Sequence, residues 1–430
     1  MEKENEAFIK TEDKKSEKSE KGKGQEEEDV SSENEEEKLQ AQTPTRMRHN
    51  FIIRPFETLT RMYGIPSYAE IDPTPILFIT FPLLFGIMFG DIGHGLILII
   101  AGLVGGIIFR KRKTGDIKNM SWIIFYCGWA AMIFGFLYGE FFGQQQILGY
   151  QLNPIPIPIP FFGALILYHP LENVMVLFII AVILGVLHLN LGWILQFINY
   201  FMQNKRYLAL TETIPKMFFL DSGFYVIFRY SVDFNAWFAA PYPVLLPIIA
   251  GLLLIVFKIV GKALGISYIQ QQTYGQLLAE GSIETFETVL SIPGNVFSYI
   301  RLLALALAHI SLMLAIRAMA GLIVGNNFVT QFIIIVSLIF GNLIVILLEG
   351  LIVFLNTLRL HFYEFFFKFY KGAGIEYKPF VIQNNFSDIK FKSEAEKDFI
   401  SEEIEKEIDT EKVKEIVNNA KEYISEKYLR

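Results

Sequence analysis

Between Gly294 and Val324 the chain reads GNVFSYIRLLALALAHISLMLAIRAMAGLIV, and inside that otherwise apolar run stands Arg301. A run of this length and character spans a bilayer as a helix. An arginine near the middle of such a helix costs about 3 kcal/mol on insertion scales, and more in simulations of an isolated helix. The guanidinium stays ionised at any working pH, so it cannot lower that cost by losing its proton. A counter-charge must therefore come from elsewhere, either from another helix of this chain or from a separate protein.

The remaining sequence places this run in an all-α, polytopic membrane protein. The chain has 430 residues, 52% of them hydrophobic, and runs of near-spanning length recur from about residue 75 to 370. Eight spans are expected: Ile76–Phe89, Leu96–Phe109, Trp122–Phe142, Asn173–Phe201, Ile214–Tyr230, Pro243–Val260, the opening stretch extended upstream through Leu277, and Val329–Phe369. Basic residues at Arg110–Lys113, Lys205–Arg206 and Lys258–Lys262 mark one side and put both termini on it, the cytoplasmic side. The proline-rich PIPIPIPFFG loop is poor in basic residues and is expected to be external and extended. Pro293–Gly294 should break or kink the seventh helix. An eighth helix of about 40 residues would be about 60 Å long, twice the hydrocarbon thickness, so the last two helices should form a long tilted pair.

The organisation by residue number is a charged, disordered tail over 1–45, an amphipathic juxtamembrane segment over 46–74, an eight-helix membrane domain over 75–372 and a charged cytoplasmic tail over 373–430. The net charge of −6 resides mostly in those tails. The single cysteine, Cys127, cannot form an internal disulfide. There is no GxxxxGK[ST] loop, no clustered Cys/His spacing and no cleavable signal peptide, so no cofactor, resident metal, nucleic-acid partner or catalytic role is expected of this chain by itself.

Arg301, Ala304, Ala308, Ser311 and Ala315 recur at three- and four-residue spacing and share one helix face. A small-residue strip lets another helix approach closely, whether within the bundle or on a partner. Glu287 lies fourteen residues before Arg301, about 21 Å along a helix, and His309 eight residues after it, about 12 Å the other way. Glu349, Arg359, His361 and Glu364 interrupt the last apolar run. Ionisable groups at such depth commonly mark ion paths. Asp91 and His94 in GDIGHG, Glu140 in YGEFFG and His188 in LGVLHLNLGW stand open between a path role and an interfacial or core role. Arg317, near a helix end, is expected to snorkel.

Five stretches carry a resemblance to a known family: PFETLTRMYGIPSYAEIDPTP, FPLLFGIMFGDIGHG, GFLYGEFFG, SYIRLLALALAH and EGLIVFLNTLRLHFYEFFFKFYKGAGIEYKPF. In order over about residues 54–380, they resemble the large membrane subunit of rotary V-type and A-type ATPases, subunit a in eukaryotes and subunit I in archaea. The resemblance implies an eight-helix stator packed against a proteolipid ring, with Arg301 as the arginine that faces the ring's carboxylates. It places Glu287 toward a cytoplasmic half-channel, and His309, Glu349, Arg359 and His361 toward an external half-channel or its gate. Partners so implied are the ring, peripheral stalk subunits, a central stalk cap and membrane lipid, and the compact ending leans toward an archaeal-type version in a prokaryotic cell membrane. The family normally begins with a long folded cytoplasmic domain, whereas here a short charged tail precedes the membrane part. Separate encoding, reduction or a fragment would each account for that.

Two other readings compete. A secondary transporter built from broken helices would show paired internal repeats, and no second copy of SYIRLLALALAH or GDIGHG is visible. A non-coupling scaffold remnant of the same complex would have no use for Arg301, Glu349 and Arg359 together.

Overall fold

The computed structural model describes residues 43–111, 115–147, 150–152, 156–159, 163–166, 174–230, 233–265, 273–323 and 327–377. The tails over 1–42 and 378–430 lie outside the described residues. The fold is all-α and polytopic. After a short helix α1 (Glu57–Tyr63) come α2 (Thr74–Met88), α3 (Ile92–Ile108), α4 (Gly115–Tyr138), α5 (Val174–Met202), α6 (Ile214–Tyr230), α7 (Leu245–Ala263), α8 (Tyr274–Gly321) and α9 (Phe328–Phe369). These last eight fall on the eight expected spans in order, although α6, interrupted by Asp221 and Arg229, is not among the apolar helices of spanning or near-spanning length. Five, α4, α5, α7, α8 and α9, are long and apolar enough to cross a membrane unaided, while α2 and α3 are shorter apolar helices.

Glycine makes the α3–α4 crossing possible. A Cβ on Gly102 would lie 2.5 Å from the Phe125 backbone nitrogen, and one on Gly135 would lie 2.3 Å from that of Ile92. Gly95 and Gly128 meet the opposite backbone in the same way. The two helices thus touch main chain to main chain, as small residues allow in membranes.

The last two helices differ from the sequence-based expectation in detail. Pro293 lies inside α8, and the interruption falls six residues later at Tyr299, the single turn residue between Ser298 and Ile300. With 48 residues, α8 would be about 72 Å long if straight. Helix α9 has 42 residues and contains two π-helical stretches, Val345–Glu349 and Leu360–Phe366. Each widens the turn by a residue and rotates the face that follows. No periodicity argument exposes that rotation. Only 6% of the most apolar window of α9 is buried.

The segments flanking the membrane part come together. Pro44–Thr45 pairs in parallel with Ile375–Glu376, Ile65 bridges to Ala373, and Arg61 pairs with Glu376. The ordered juxtamembrane segment therefore reaches back to Pro44, and the first residues of the expected C-terminal tail, 373–377, belong with it. Tyr370 donates to the Gly64 carbonyl at 2.7 Å, and burial raises the phenol pKa of Tyr370 and of nearby Tyr63, so both remain protonated. In the proline-rich loop the described residues are extended, with Pro156–Ile159 paired antiparallel to Gly163–Ile166.

Candidate functional site

Polar groups gather at three levels along α8 and α9, which run antiparallel to each other. The middle level holds Arg301. Its Nη2 donates to Ser298 Oγ at 2.6 Å, the Ser298 hydroxyl contacts Glu364 Oε1, and the guanidinium lies 3.7 Å from that same oxygen. The counter-charge that the sequence demanded is thus supplied by α9. The tie is incomplete, since Arg301 Nη1 and Glu364 Oε2 are both buried without a hydrogen-bond partner. The flank beyond it is open, with Ala304, Ala308, Ser311 and Ala315 all exposed. Arg359 also stands exposed, among Ile352, Leu355, Tyr363 and Phe367. Both arginines therefore border surface that no described residue covers.

Behind Arg301 lies a packed histidine pair. His188 Nδ1 is 2.7 Å from the Tyr299 hydroxyl, and its ring stacks on Phe365 at 4.2 Å. His361 is held by Thr80 Oγ1 at 2.9 Å and the Thr357 carbonyl at 2.8 Å, with its ring 5.1 Å from that of His188. His188 is thus a core histidine as well as a neighbour of the Arg301 level, and Tyr299 links the two.

The second level is a closed cluster formed by α3, α8 and α9. Asp91 caps α3: its Oδ1 accepts from the backbone N–H groups of His94 and Phe142, both at 3.0 Å, and its Oδ2 from that of Gly143 at 2.7 Å. His94 Nε2 lies 3.0 Å from Asn342 Oδ1 and His309 Nδ1 lies 3.0 Å from Glu349 Oε2. The two imidazole centroids are 5.3 Å apart. Asp91, His94 and Glu140 are wholly buried within the protein. Arg317 is tied to the turn after α4. Its guanidinium donates to the Phe142 carbonyl and clamps the turn that Asp91 holds from the other side.

The third level, at the start of α8, was not legible beforehand. Lys216 bridges Glu212 (2.7 Å) and Glu284 (2.8 Å), and Lys258 bridges Glu284 (2.5 Å) and Glu280 (2.9 Å). The chain of alternating charges ties α6, α7 and α8 together. Glu287, the residue picked from the sequence, is exposed on α8. The only advance signal was the i, i+4 pair Glu280–Glu284, which a lysine on a neighbouring helix can span. Three π-helical segments occur among the described residues, and each bears one of these carboxylates: Glu212 in Ala209–Thr213, Glu349 and Glu364 in the two on α9. Such segments frequently mark functional positions.

The V-type ATPase 116kDa subunit family model matches residues 4–149 and 265–382, more than half of the chain. A-type ATP synthase subunit I of Saccharolobus solfataricus is 32% identical over 385 residues, covering 79% of this chain and 54% of that protein. The protein of the same name from Aeropyrum pernix is 27% identical over 368 residues, covering 80% and 52%. The vacuolar proton translocating ATPase 100 kDa subunit of Dictyostelium discoideum is 26% identical over 441 residues, covering 80% and 53%. The chain spans about half the length of the curated relatives it matches. The matched segments contain Asp91, His94 and Glu140 in the first, and Arg301, His309, Glu349, Arg359, His361 and Glu364 in the second. His188, Lys216 and Lys258 fall between them. With that coverage, and with an all-α polytopic fold around a charged α8–α9 pair, this chain belongs to the V-type ATPase 116kDa subunit family.

Proposed function

We propose that this chain is the stator membrane subunit of a rotary A-type/V-type ATPase, in which ions pass between two half-channels by riding on the carboxylates of a proteolipid ring. One observation carries the reading: an arginine with a single, incomplete counter-ion among the described residues opens onto an exposed strip of small residues. A ring carboxylate brought to that strip competes with Glu364 for the guanidinium and is held ionised there. When it leaves, Glu364 and Ser298 take the cation back, so Arg301 is never left alone in a low-dielectric site. A fixed cation also repels a free cation, which keeps ions from crossing without the ring.

The two flanking levels support separate entries. The Glu212–Lys216–Glu284–Lys258–Glu280 chain lies toward the side of the paired flanks, and Glu287 stands exposed further along the same helix. The His94–His309–Glu349 cluster lies toward the opposite side, with Arg359 and His361 between it and the flanks. Histidine and carboxylate side chains at that depth can take up and release protons. Partners in this reading are the ring, a central stalk cap and peripheral stalk subunits, with the protein multi-pass in the cell membrane and both flanks cytoplasmic. The pairing of Pro44–Thr45 with Ile375–Glu376 supports a common side for the two flanks.

The test is Arg301→Ala in the reconstituted complex. ATP-driven ion uptake should fall to background while the complex still copurifies with its ring. Uptake that persists in an assembled Arg301→Ala complex removes the central role of this residue.

A further inference from the structure

The buried cluster on α3, α8 and α9 has the donor set and the supporting hydrogen bonds of a cation site. Asp91, His94 and His309 each offer one ligand atom, all within 4.8 Å of one another. Asp91 and His94 are 0% exposed and His309 is 1% exposed. Each imidazole has one nitrogen engaged and the other idle. Asn342 Nδ2 donates to the Leu338 carbonyl at 2.7 Å, which turns Asn342 Oδ1 toward His94. An amide oxygen only accepts, so His94 Nε2 carries the proton and Nδ1 carries a lone pair. Likewise an ionised Glu349 accepts from His309 Nδ1–H and leaves the lone pair on Nε2. In this cluster His94 Nδ1 and His309 Nε2 are both buried with no hydrogen-bond partner, as His188 Nε2 is behind Arg301.

That pattern has a cost with no ligand present, because a buried acceptor with no partner has given up bulk water for nothing. With a metal ion the same pattern is the usual second shell: each ligating histidine donates its other N–H to a carboxylate or carbonyl oxygen, which fixes the tautomer and the ring. Asp91 has capacity left, since three backbone N–H groups occupy three of roughly four lone-pair positions on its carboxylate. The open position is on Oδ2, which accepts one N–H where Oδ1 accepts two, and His94 Nδ1 lies 3.5 Å from this carboxylate. Two carboxylates, Asp91 and Glu349, balance a divalent charge. Glu349 Oε1 is also buried with no hydrogen-bond partner, an acceptor available to a metal-bound water.

We propose that Asp91, His94 and His309 bind one divalent cation of the zinc class, with Asn342 and Glu349 orienting the two imidazoles. Two imidazoles and one carboxylate with an open position suit Zn²⁺ over Mg²⁺ or Ca²⁺, which require oxygen-rich sets. Sequence spacing hides the site, because its ligands lie on helices more than two hundred residues apart. Occupancy withdraws His309 from proton exchange. That consequence, a metal-dependent block of ion passage, rests on the ion path proposed above, whereas the binding site does not.

The test uses the full chain, purified through a histidine-free tag, dialysed against ZnCl₂ and then against buffer. The expected result is about one retained zinc per chain, released by a chelator, with X-ray absorption at the zinc edge reporting two imidazoles and oxygen donors. The His94→Gln/His309→Gln double variant should retain none, and Asn342→Leu should weaken binding about 10- to 100-fold. No retained zinc, or zinc with fewer than two imidazoles in the unmodified protein, overturns the site without reference to any variant. Zn²⁺ added to the reconstituted complex should stop ATP-driven ion uptake. Binding without that block takes the cluster off the ion path and leaves the cation site standing; absence of binding removes the site and leaves the path reading as it was.

Discussion

Helices α3–α4 and α8–α9 are both consecutive, apolar and antiparallel, yet they are built for opposite ends. In the first pair glycine brings backbone to backbone at the Gly102–Phe125 and Gly135–Ile92 crossings. In the second, Ala304, Ala308, Ser311 and Ala315 form a comparable strip of small residues, but nothing described covers it. Small residues alone therefore do not say whether a face is internal. The difference lies in charge. The α3–α4 crossing carries no ion at its centre, whereas Arg301 stands at the edge of the open strip with one partial counter-ion. A closed crossing gains contact energy from tight packing, and an open one keeps an approach free for something that must come and go.

Several substitutions would break or sharpen that contrast, and the largest effect belongs to the open side. Arg301→Ala should take ATP-driven ion uptake to background with assembly intact, and Arg301→Lys should not restore it, because an ammonium lacks the second guanidinium nitrogen, Nη1, which has no partner while Nη2 alone contacts both Ser298 and Glu364. Next comes Glu364→Gln. A hydrogen bond to a charged group is worth about 1.5–3 kcal/mol, so ion turnover should drop about 10- to 100-fold in the same vesicle assay. Unchanged turnover would show that Glu364 is a bystander and not the resting partner of Arg301.

Stability separates the two pairs at a smaller scale. Gly135→Leu forces a side chain into the Ile92 backbone and should cost about 1–3 kcal/mol, read as a lower thermal midpoint in detergent. Ala308→Leu on the open strip should change that midpoint little, within about 0.5 kcal/mol, while weakening copurification with the ring. Equal destabilisation by both would mean that the strip is covered within the fold. The smallest effect is expected of Arg61→Ala. Its partly exposed pair with Glu376 should contribute no more than about 1 kcal/mol.

Much of this was legible beforehand because hydropathy is a local property. The eight expected runs became eight helices, seven of them apolar among the described residues, and the length of the last two followed from counting residues. Arg301, His309 and Glu349 drew attention because ionisable groups are conspicuous in oil. Glu287 drew attention in the same way, yet it is Glu280 and Glu284 that are ion-paired, since pairing depends on where Lys216 and Lys258 arrive from other helices. The break in α8 at Tyr299, where Pro293 was the expected site, shows a second limit. A proline removes one backbone hydrogen bond, and neighbouring packing decides where the helix yields.

The amino-acid sequence by itself determined that the chain is helical, that it is rich in membrane spans, and that an unquenchable cation had to be neutralised. These follow from the cost of exposing apolar surface or isolating charge, which is paid residue by residue. Only the tertiary structure decided which acid answers Arg301, which nitrogen of each histidine is left idle, and which small-residue face stays bare. Those depend on π-helical turns that rotate a face, and on helices distant in sequence meeting at one depth, and no local pattern encodes either.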